Sequence, residues 1–323
     1  MENPDQKNAR MALIFIVLIN IVWGSQYVLI RLGVQVVPVF FFQGFRFLLA
    51  FLGFLPFFGK FRSLNKQTLV AAFIMAVLLY LMTAFLTYGL ASTSSSKGAF
   101  LATMYVVITP PLARVVLGRR IQKNKSIGVI FAIGGIICLL LLNSSSGLFD
   151  LTINPGDILI LICAMLNAVQ IVLMEKYVKS VDVIQFSMVQ VGLTSLFLLT
   201  SSLILQESVN LATFSPILWG GIIYLGICGV MFSYLIQGWR QKIIKSPRAA
   251  LLYTLEPVFG LFFGVVFGQE PFTIYFLLGA SLILLGIVIS STEPKKPLSN
   301  TLNSQFAEKG GKTPLEANGP KLD

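Results

Sequence analysis

Glu256 lies deep inside an apolar stretch of this sequence, followed at once by Pro257 and preceded one helical turn earlier by Tyr253. An ionisable group at the centre of a membrane helix costs at least ~2.5–3.5 kcal/mol, so it calls for a partner or a task. Proline removes a backbone hydrogen bond and kinks a helix, which opens a carbonyl and room for water beside the carboxyl. A carboxyl in that setting can meet a substrate amine or carry a proton. It can equally hold the kink by hydrogen-bonding neighbouring helices, and both readings stand. Arg46 sits about one-third of the way into another apolar stretch. Its planar fork suits a substrate carboxylate, and pairing within the bundle is the alternative. Arg114 lies where it can snorkel to the interface, and Lys97 opens its stretch as an interface marker.

Polar and aromatic side chains recur at helical spacing around these charges. Asn20, Trp23, Gln26 and Tyr27 share one face; Tyr80, Thr83 and Thr87 share another. Tyr105 aligns with Thr109, Asn167 with Gln170, and Tyr253 with Glu256. A lipid-facing surface has no use for amides, so these stripes turn inward. The candidate substrate-binding set is Trp23, Gln26, Tyr105, Thr109, Asn167, Gln170, Tyr253 and Glu256, with Glu256 also the candidate proton-coupling group. Interhelical hydrogen bonding, worth about 0.6 kcal/mol per contact, is the competing use of each stripe. Gly134, Gly135, Gly279 and Gly286 suit close helix packing.

The elements that would position these residues are helices. Hydrophobic residues make up 56% of the 323 and charged residues 11%, against roughly a quarter charged in a soluble domain. Apolar blocks of about twenty residues match the ~30 Å hydrocarbon core of a bilayer. Ten spans are predicted, at 11–31, 39–58, 68–91, 97–117, 126–142, 156–176, 183–205, 216–237, 247–267 and 272–291. Helices satisfy their own backbone groups in lipid, and the blocks lack the short alternating strands of a membrane barrel. The net charge of +11 sits in the connections. Lys and Arg follow every even-numbered span, while Asp150, Asp157, Glu207 and Glu270 mark the opposite side. The positive-inside rule then puts both termini in the cytoplasm, in a multi-pass plasma or inner membrane protein.

This distribution excludes a nucleic-acid partner, since the basic residues form no patch. The partners expected are the bilayer and a small-molecule substrate, with the oligomeric state open. There is no histidine, and Cys138, Cys163 and Cys228 all lie in apolar runs. No metal site, disulfide framework or cofactor is expected, and no Ser/His pair is available for an enzyme. No phosphate-binding loop of the Walker type is present, so energy would come from gradients. The first apolar run is too long for a signal-peptide core and reads as a retained helix.

The chain divides where NSSSGLFDLTINPGD breaks the apolar pattern. Residues 1–10 form a cytoplasmic N-terminus, 11–145 a first repeat and 146–155 an external connector. Residues 156–292 form a second repeat, and 293–323 a disordered cytoplasmic tail. Spans 4 and 5 and spans 9 and 10 share an order of features: a small-residue start, an aromatic and a Thr, proline, a Gly followed by charge, and a Gly-rich helix. Five spans is an odd number, so the second half enters from the opposite side. Such inverted repeats place a substrate site between the halves, near the midplane.

WGSQYVLIR at 23–31, RFLLA at 46–50 and SSKGAFLATMYVVITPPLARVVLGRR at 95–120 resemble the EamA-type members of the drug/metabolite transporter superfamily. So do GDILILICAMLNAVQIVLMEKY at 156–177 and SPRAALLYTLEPVFGLFFGVVFGQE at 246–270. The resemblance covers about residues 10–292. It implies an all-α integral membrane protein of ten helices, built as two inverted five-helix units around a central cavity. Arg120 stands where Glu270 stands in the second unit, so the two exits differ. The implied function is a secondary transporter of a small metabolite or drug-like solute, an exporter by alternating access, with proton coupling open. A channel or a lipid-handling subunit is the alternative; the charge rings or filter loops of a channel are not evident. The glutamate that cation antiporters of the small multidrug resistance family carry in their first helix is missing from span 1.

Overall fold

The computed structural model describes residues 4–118, 123–142, 154–210, 212, 214–242, 244, 246–269 and 274–291. The tail from 293, most of the 146–155 connector, Arg120 and Glu270 lie outside the described residues.

Helices α1 (Pro4–Gly33), α2 (Val39–Leu52) and α3 (Lys66–Ser92) open the chain. Next come α4 (Ser95–Ala102), α5 (Tyr105–Leu117) and α6 (Lys123–Leu142). The second part holds α7 (Pro155–Tyr177), α8 (Val183–Ile204), α9 (Pro216–Tyr224) and α10 (Ser233–Gln241). It ends with α11 (Ser246–Leu252), α12 (Glu256–Phe267) and α13 (Ile274–Ser291). Seven helical stretches are long and apolar enough to cross a membrane, and the bent pair Val39–Leu52 and Leu55–Ser63 makes an eighth. Parts of α6 and α13, Ser126–Gly135 and Leu277–Gly286, are shorter apolar helices.

Polarity runs opposite to that of a soluble domain. Asn20, Gln43, Gln190 and Thr194 are buried, while Val115, Ile130, Leu203 and Ile217 are exposed. Apolar side chains turned out and amides turned in are what a bilayer solvent demands.

Four expected spans are not simple helices. Span 2 was expected to run straight through 39–58; instead α2 stops at Leu52 and the chain turns by 76° into a 3-10 segment, Leu55–Ser63. Pro56 near the start of that segment explains the stop, since it has no N–H to give the Leu52 carbonyl and its ring would clash with that carbonyl in a continued α-helix. Span 4 breaks between α4 and α5. Span 8 holds a π-helical segment, Leu225–Phe232, between α9 and α10. Span 9 breaks in the 3-10 turn Tyr253–Leu255. Pro257, expected to kink a continuous helix, falls in the first turn of α12. There its missing N–H is no loss.

α3 packs on α7 and α8, α2 on α8, α1 on α12, α5 on α7, and α6 on α13. The last pair meets through small residues. A Cβ on Gly135 would lie 2.6 Å from the Gly279 carbonyl oxygen, and one on Gly286 2.6 Å from that of Gly128. Past the bend, Lys60 pairs with Asp182 at 3.0 Å, tying the 3-10 segment to the start of α8. Partial burial pushes the Asp182 carboxyl up. The Gln185 and Ile184 N–H groups and Lys60 outweigh it, and the group sits below its ordinary range.

Candidate functional site

The irregular backbone of spans 8 and 9 sets the site's geometry, because carbonyls displaced from regular helix need donors within a bilayer. Asn20 donates to Leu252 O at 3.2 Å, at the end of α11, and to Ile16 O at 2.7 Å. Trp23 Nε1 donates to Gly229 O at 3.1 Å in the π segment. Arg46 Nε donates to Leu225 O at 3.2 Å in the same segment. The inward stripe of α1 and the cation of α2 therefore grip the irregular stretches of spans 8 and 9. π segments recur at functional sites.

These grips surround a cavity of about 70 Å³ whose walls include Trp23, Gln26, Tyr27, Gln43, Arg46 and Thr83. Asn167, Gln170, Tyr234 and Glu256 complete its polar lining. Glu256, the first residue of α12, is 5% exposed and accepts a 2.7 Å hydrogen bond from the Tyr27 hydroxyl. The titratable groups that face it are Tyr27 from α1, Tyr105 from α5, Cys163 from α7, Tyr234 from α10 and Tyr253 from the 3-10 turn. Arg46, 4% exposed, is held by Gln43 Oε1 at 3.1 Å and Gln26 Oε1 at 2.9 Å besides Leu225 O.

Of the eight candidates, Trp23, Gln26, Asn167, Gln170 and Glu256 line this cavity. Tyr105, Thr109 and Tyr253 are buried but are not among its lining residues. The Tyr105 hydroxyl has no hydrogen-bond partner among the described residues. Thr109 donates to its own helix, at Tyr105 O, 2.7 Å away, and Tyr253 packs tilted against Trp23 with ring centroids 5.5 Å apart. These three stand one layer behind the cavity wall. Gln43 and Tyr234 were missed. Gln43 lies three residues before Arg46 on the same helix face, and Tyr234 three residues before Gln237, signals that could have been read.

Three further ionic residues have structural posts. Lys97, expected to mark an interface, pairs with Asp157 at 2.7 Å. Asp157, expected beside the external connector, is 2% exposed and closes a capping box with Asn154 at the start of α7. Thr93 Oγ1 also donates to Asp157, at 2.5 Å. At the other end of α7, Glu175 accepts from the Ser246 N–H at 2.6 Å, at the start of α11.

A bundle of apolar helices, two of them interrupted beside a buried polar cavity, defines a multi-pass membrane transport protein. The profile of the EamA-like transporter family matches residues 10–141 and again 154–292. The chain belongs to the EamA-like transporter family. The uncharacterized transporter YoaV of Bacillus subtilis (strain 168) is 24% identical over 287 residues, covering 85% of this chain and 95% of the relative. An uncharacterized transporter of Archaeoglobus fulgidus is 26% identical over 274 residues, covering 85% and 83%. One solved crystal structure superposes with a TM-score of 0.69 at 17% identity, over 87% of this chain and 96% of that one. The protein is thus a multi-pass membrane protein in contact with lipid that transports a substrate across the membrane.

Proposed function

We propose that this protein is a secondary carrier for a small metabolite or drug-like solute, working by alternating access of ten spans arranged as two inverted units, 11–145 and 156–292. Helix pairing supports the two units. Number the spans one to five in each unit and exchange the units: each contact should then find its counterpart. The packing of α1 on α12, span 1 against span 9, is matched by α5 on α7, span 4 against span 6. α3 on α7 is matched by α1 on the π segment and α10, and α3 on α8 by α2 on the π segment. α2 on α8 and α6 on α13 map onto themselves. With an odd number of spans per unit the axis relating them lies in the membrane plane, and both termini face the cytoplasm of a plasma or inner membrane. That arrangement lets one cavity open to either side.

The observation that carries the reading is the pair of interrupted helices, α4/α5 and α11/α12, at corresponding places in the two units. Broken helices in matching positions mark the binding region in carriers of this kind. A channel is disfavoured by the cavity itself, about 70 Å³ without a ring of like charges among its lining residues. Ligand pockets run to ~300–1,000 Å³, so loading a solute requires the halves to part, as alternating access does.

Glu256 is the coupling group in this reading. Its carboxyl is the cavity's acid, and Tyr27, Tyr105, Cys163, Tyr234 and Tyr253 around it are neutral phenols and a thiol in their ordinary forms. Glu256→Gln keeps shape and removes the exchangeable proton. In reconstituted vesicles it should abolish accumulation driven by a proton gradient while solute exchange at saturating concentration survives. An unchanged pH dependence of transport in the variant removes the coupling role. Failure to accumulate in the membrane assigns Glu256 to holding the bundle together.

A further inference from the structure

We infer that the inner half of the bundle, on the side where α1 begins, is the closed cytoplasmic pathway of the carrier. Gln237 and Gln241 of α10 and Ser246 of α11 wall it, and Glu175 of α7 latches it; this rests on the carrier reading above. The cavity itself leans the other way. Ile30 of α1 and Met82, Thr83 and Leu86 of α3, all on its wall, lie in the outer halves of their spans. On the inner side an aromatic layer closes it, with ring centroids 6.0 Å apart from Trp23 to Tyr234 and 5.5 Å from Trp23 to Tyr253. Beneath this floor the residues are polar. Gln237 stands one turn below Tyr234 on α10 and lies beside the Tyr253 phenol. Gln241 follows one turn further on, and Ser246 opens the next helix.

Hydrogen bonding separates the two halves. In the outer half Gln43 donates to Thr87 at 2.8 Å, and Lys97 and Thr93 both donate to Asp157. In the inner half Gln237 Oε1, both polar atoms of the Gln241 amide and Ser246 Oγ are buried with no partner among the described residues. The other buried side-chain atoms in that condition also lie in the inner halves of their spans, the Tyr105 hydroxyl at the break of span 4 excepted. Amides and hydroxyls buried without partners are unfavourable, and water entering an opened pathway would supply the missing bonds. The closed inner half is therefore biased toward opening and needs something to hold it shut. Glu175, 2% exposed, reaches from α7 to accept the Ser246 N–H at 2.6 Å. α7 packs with α3 and α5, whereas span 9 packs through α12 on α1, which also meets α10. Exchanging the two units turns spans 3, 4 and 6 into spans 8, 9 and 1, so this bond ties together the two bodies that alternating access must part.

The test is thiol accessibility in the full-length protein carrying Cys138→Ala, Cys163→Ala and Cys228→Ala, with Gln237→Cys or Gln241→Cys as the single thiol. A charged thiol reagent that cannot cross lipid is added to one face of oriented vesicles, and the rate of modification is read. Both thiols should react from the cytoplasmic face alone, the one at 241 faster. Glu175→Ala removes the acceptor and should raise both rates ~10- to 100-fold, the population shift that follows when one of two states loses a charged hydrogen bond. Glu175→Gln keeps an acceptor oxygen and should raise them less; if Glu175→Ala does not accumulate, the rise in Glu175→Gln is the reading. Thiols that stay unreactive from the cytoplasmic face in every background overturn the pathway. Rates that the Glu175 variants leave unchanged, even with a lowered melting temperature, overturn the latch and leave Glu175 a packing residue. Faster modification accompanied by a new potassium leak keeps the pathway and removes the carrier reading, since a channel is open to both sides at once. Unreactive thiols in vesicles that stay tight to potassium strike the pathway and leave the carrier reading standing.

Discussion

Between α4 and α5 the chain leaves helical geometry at Thr103 and Met104; between α11 and α12 it does so at Tyr253–Leu255. Each break holds a threonine that bonds back into the turn before it. Thr103 Oγ1 donates to Ala99 O at 2.8 Å, and Thr254 Oγ1 to Leu251 O at 2.6 Å. The spacing from Ser95 to Thr103 equals that from Ser246 to Thr254, so the two frames are in step. Past the break they part. α5 opens on Tyr105, whose hydroxyl has no partner among the described residues, and α12 opens on Glu256, whose carboxyl receives Tyr27. A shared frame fixes where a helix restarts, and the residue at the restart decides whether that point is packing or chemistry. The same holds one turn further on. Thr109 fills the place in α5 that Gly260 fills in α12. Gly260 lets α12 close onto its neighbours: an added Cβ would come 2.7 Å from Ala99 Cβ.

The sharpest way to break this comparison is to exchange those two residues. Gly260→Thr places atoms where Ala99 already stands. It should cost about 3 kcal/mol, the upper end for overpacking a filled interior. Thr109→Gly should cost only about 1 kcal/mol, the helix-propensity loss for glycine. Melting temperatures of the detergent-solubilised proteins distinguish the two. Equal losses mean that the second unit is no more tightly closed at its break than the first.

Much of this frame could be read from residue spacing, and the reasons are particular. Asn20, Trp23 and Gln26 stand at helical intervals in an otherwise apolar run, and lipid excludes such side chains, so their inward direction followed from solvent alone. Membership of the EamA-like family was legible from the repeated motifs, above all RAALLYTLEPVFG in the second unit. The breaks were not legible. Neither TMY at 103–105 nor YTL at 253–255 contains glycine or proline, and at the second break a donor from far along the chain, Asn20, meets the Leu252 carbonyl. The bend after Leu52 was marked only by Pro56. Asp157 read as an external charge because a capping role depends on Asn154, Thr93 and Lys97 converging from different elements. Tyr105 and Tyr253 sit on helix faces that spacing identifies correctly as internal, but spacing cannot separate the wall of a cavity from the layer behind it.

Two tyrosines that face the same carboxyl sharpen the contrast between packing and chemistry. The Tyr27 hydroxyl donates to Glu256 at 2.7 Å, while that of Tyr105 is buried without a partner among the described residues. Tyr27→Phe removes a hydrogen bond to a charged acceptor and should lower stability by about 2 kcal/mol. Tyr105→Phe deletes an unsatisfied buried hydroxyl and should be neutral or slightly stabilising. A loss at Tyr105 matching that at Tyr27 would mean that the Tyr105 hydroxyl has a role that the breaks do not explain.

The smallest expected effect tests whether the two breaks are held in the same way. Thr103→Val and Thr254→Val keep the branched shape at Cβ and delete only the hydroxyl that reaches back into the preceding turn. Each should cost about 1 kcal/mol, the net worth of an ordinary hydrogen bond. The sites belong to different units, so the double variant should lose the sum of the two within roughly 0.5 kcal/mol. Thermal unfolding of the two single variants and the double variant forms a complete cycle. Equal and additive losses fit two independent copies of one local device. A much larger loss at Thr254 would show that the second break also bears on Glu256 two residues later, and transport by Thr254→Val should then fall more than transport by Thr103→Val. A coupling energy well above 0.5 kcal/mol would instead mean that the two breaks move as one unit, as they must if both open and close the same cavity.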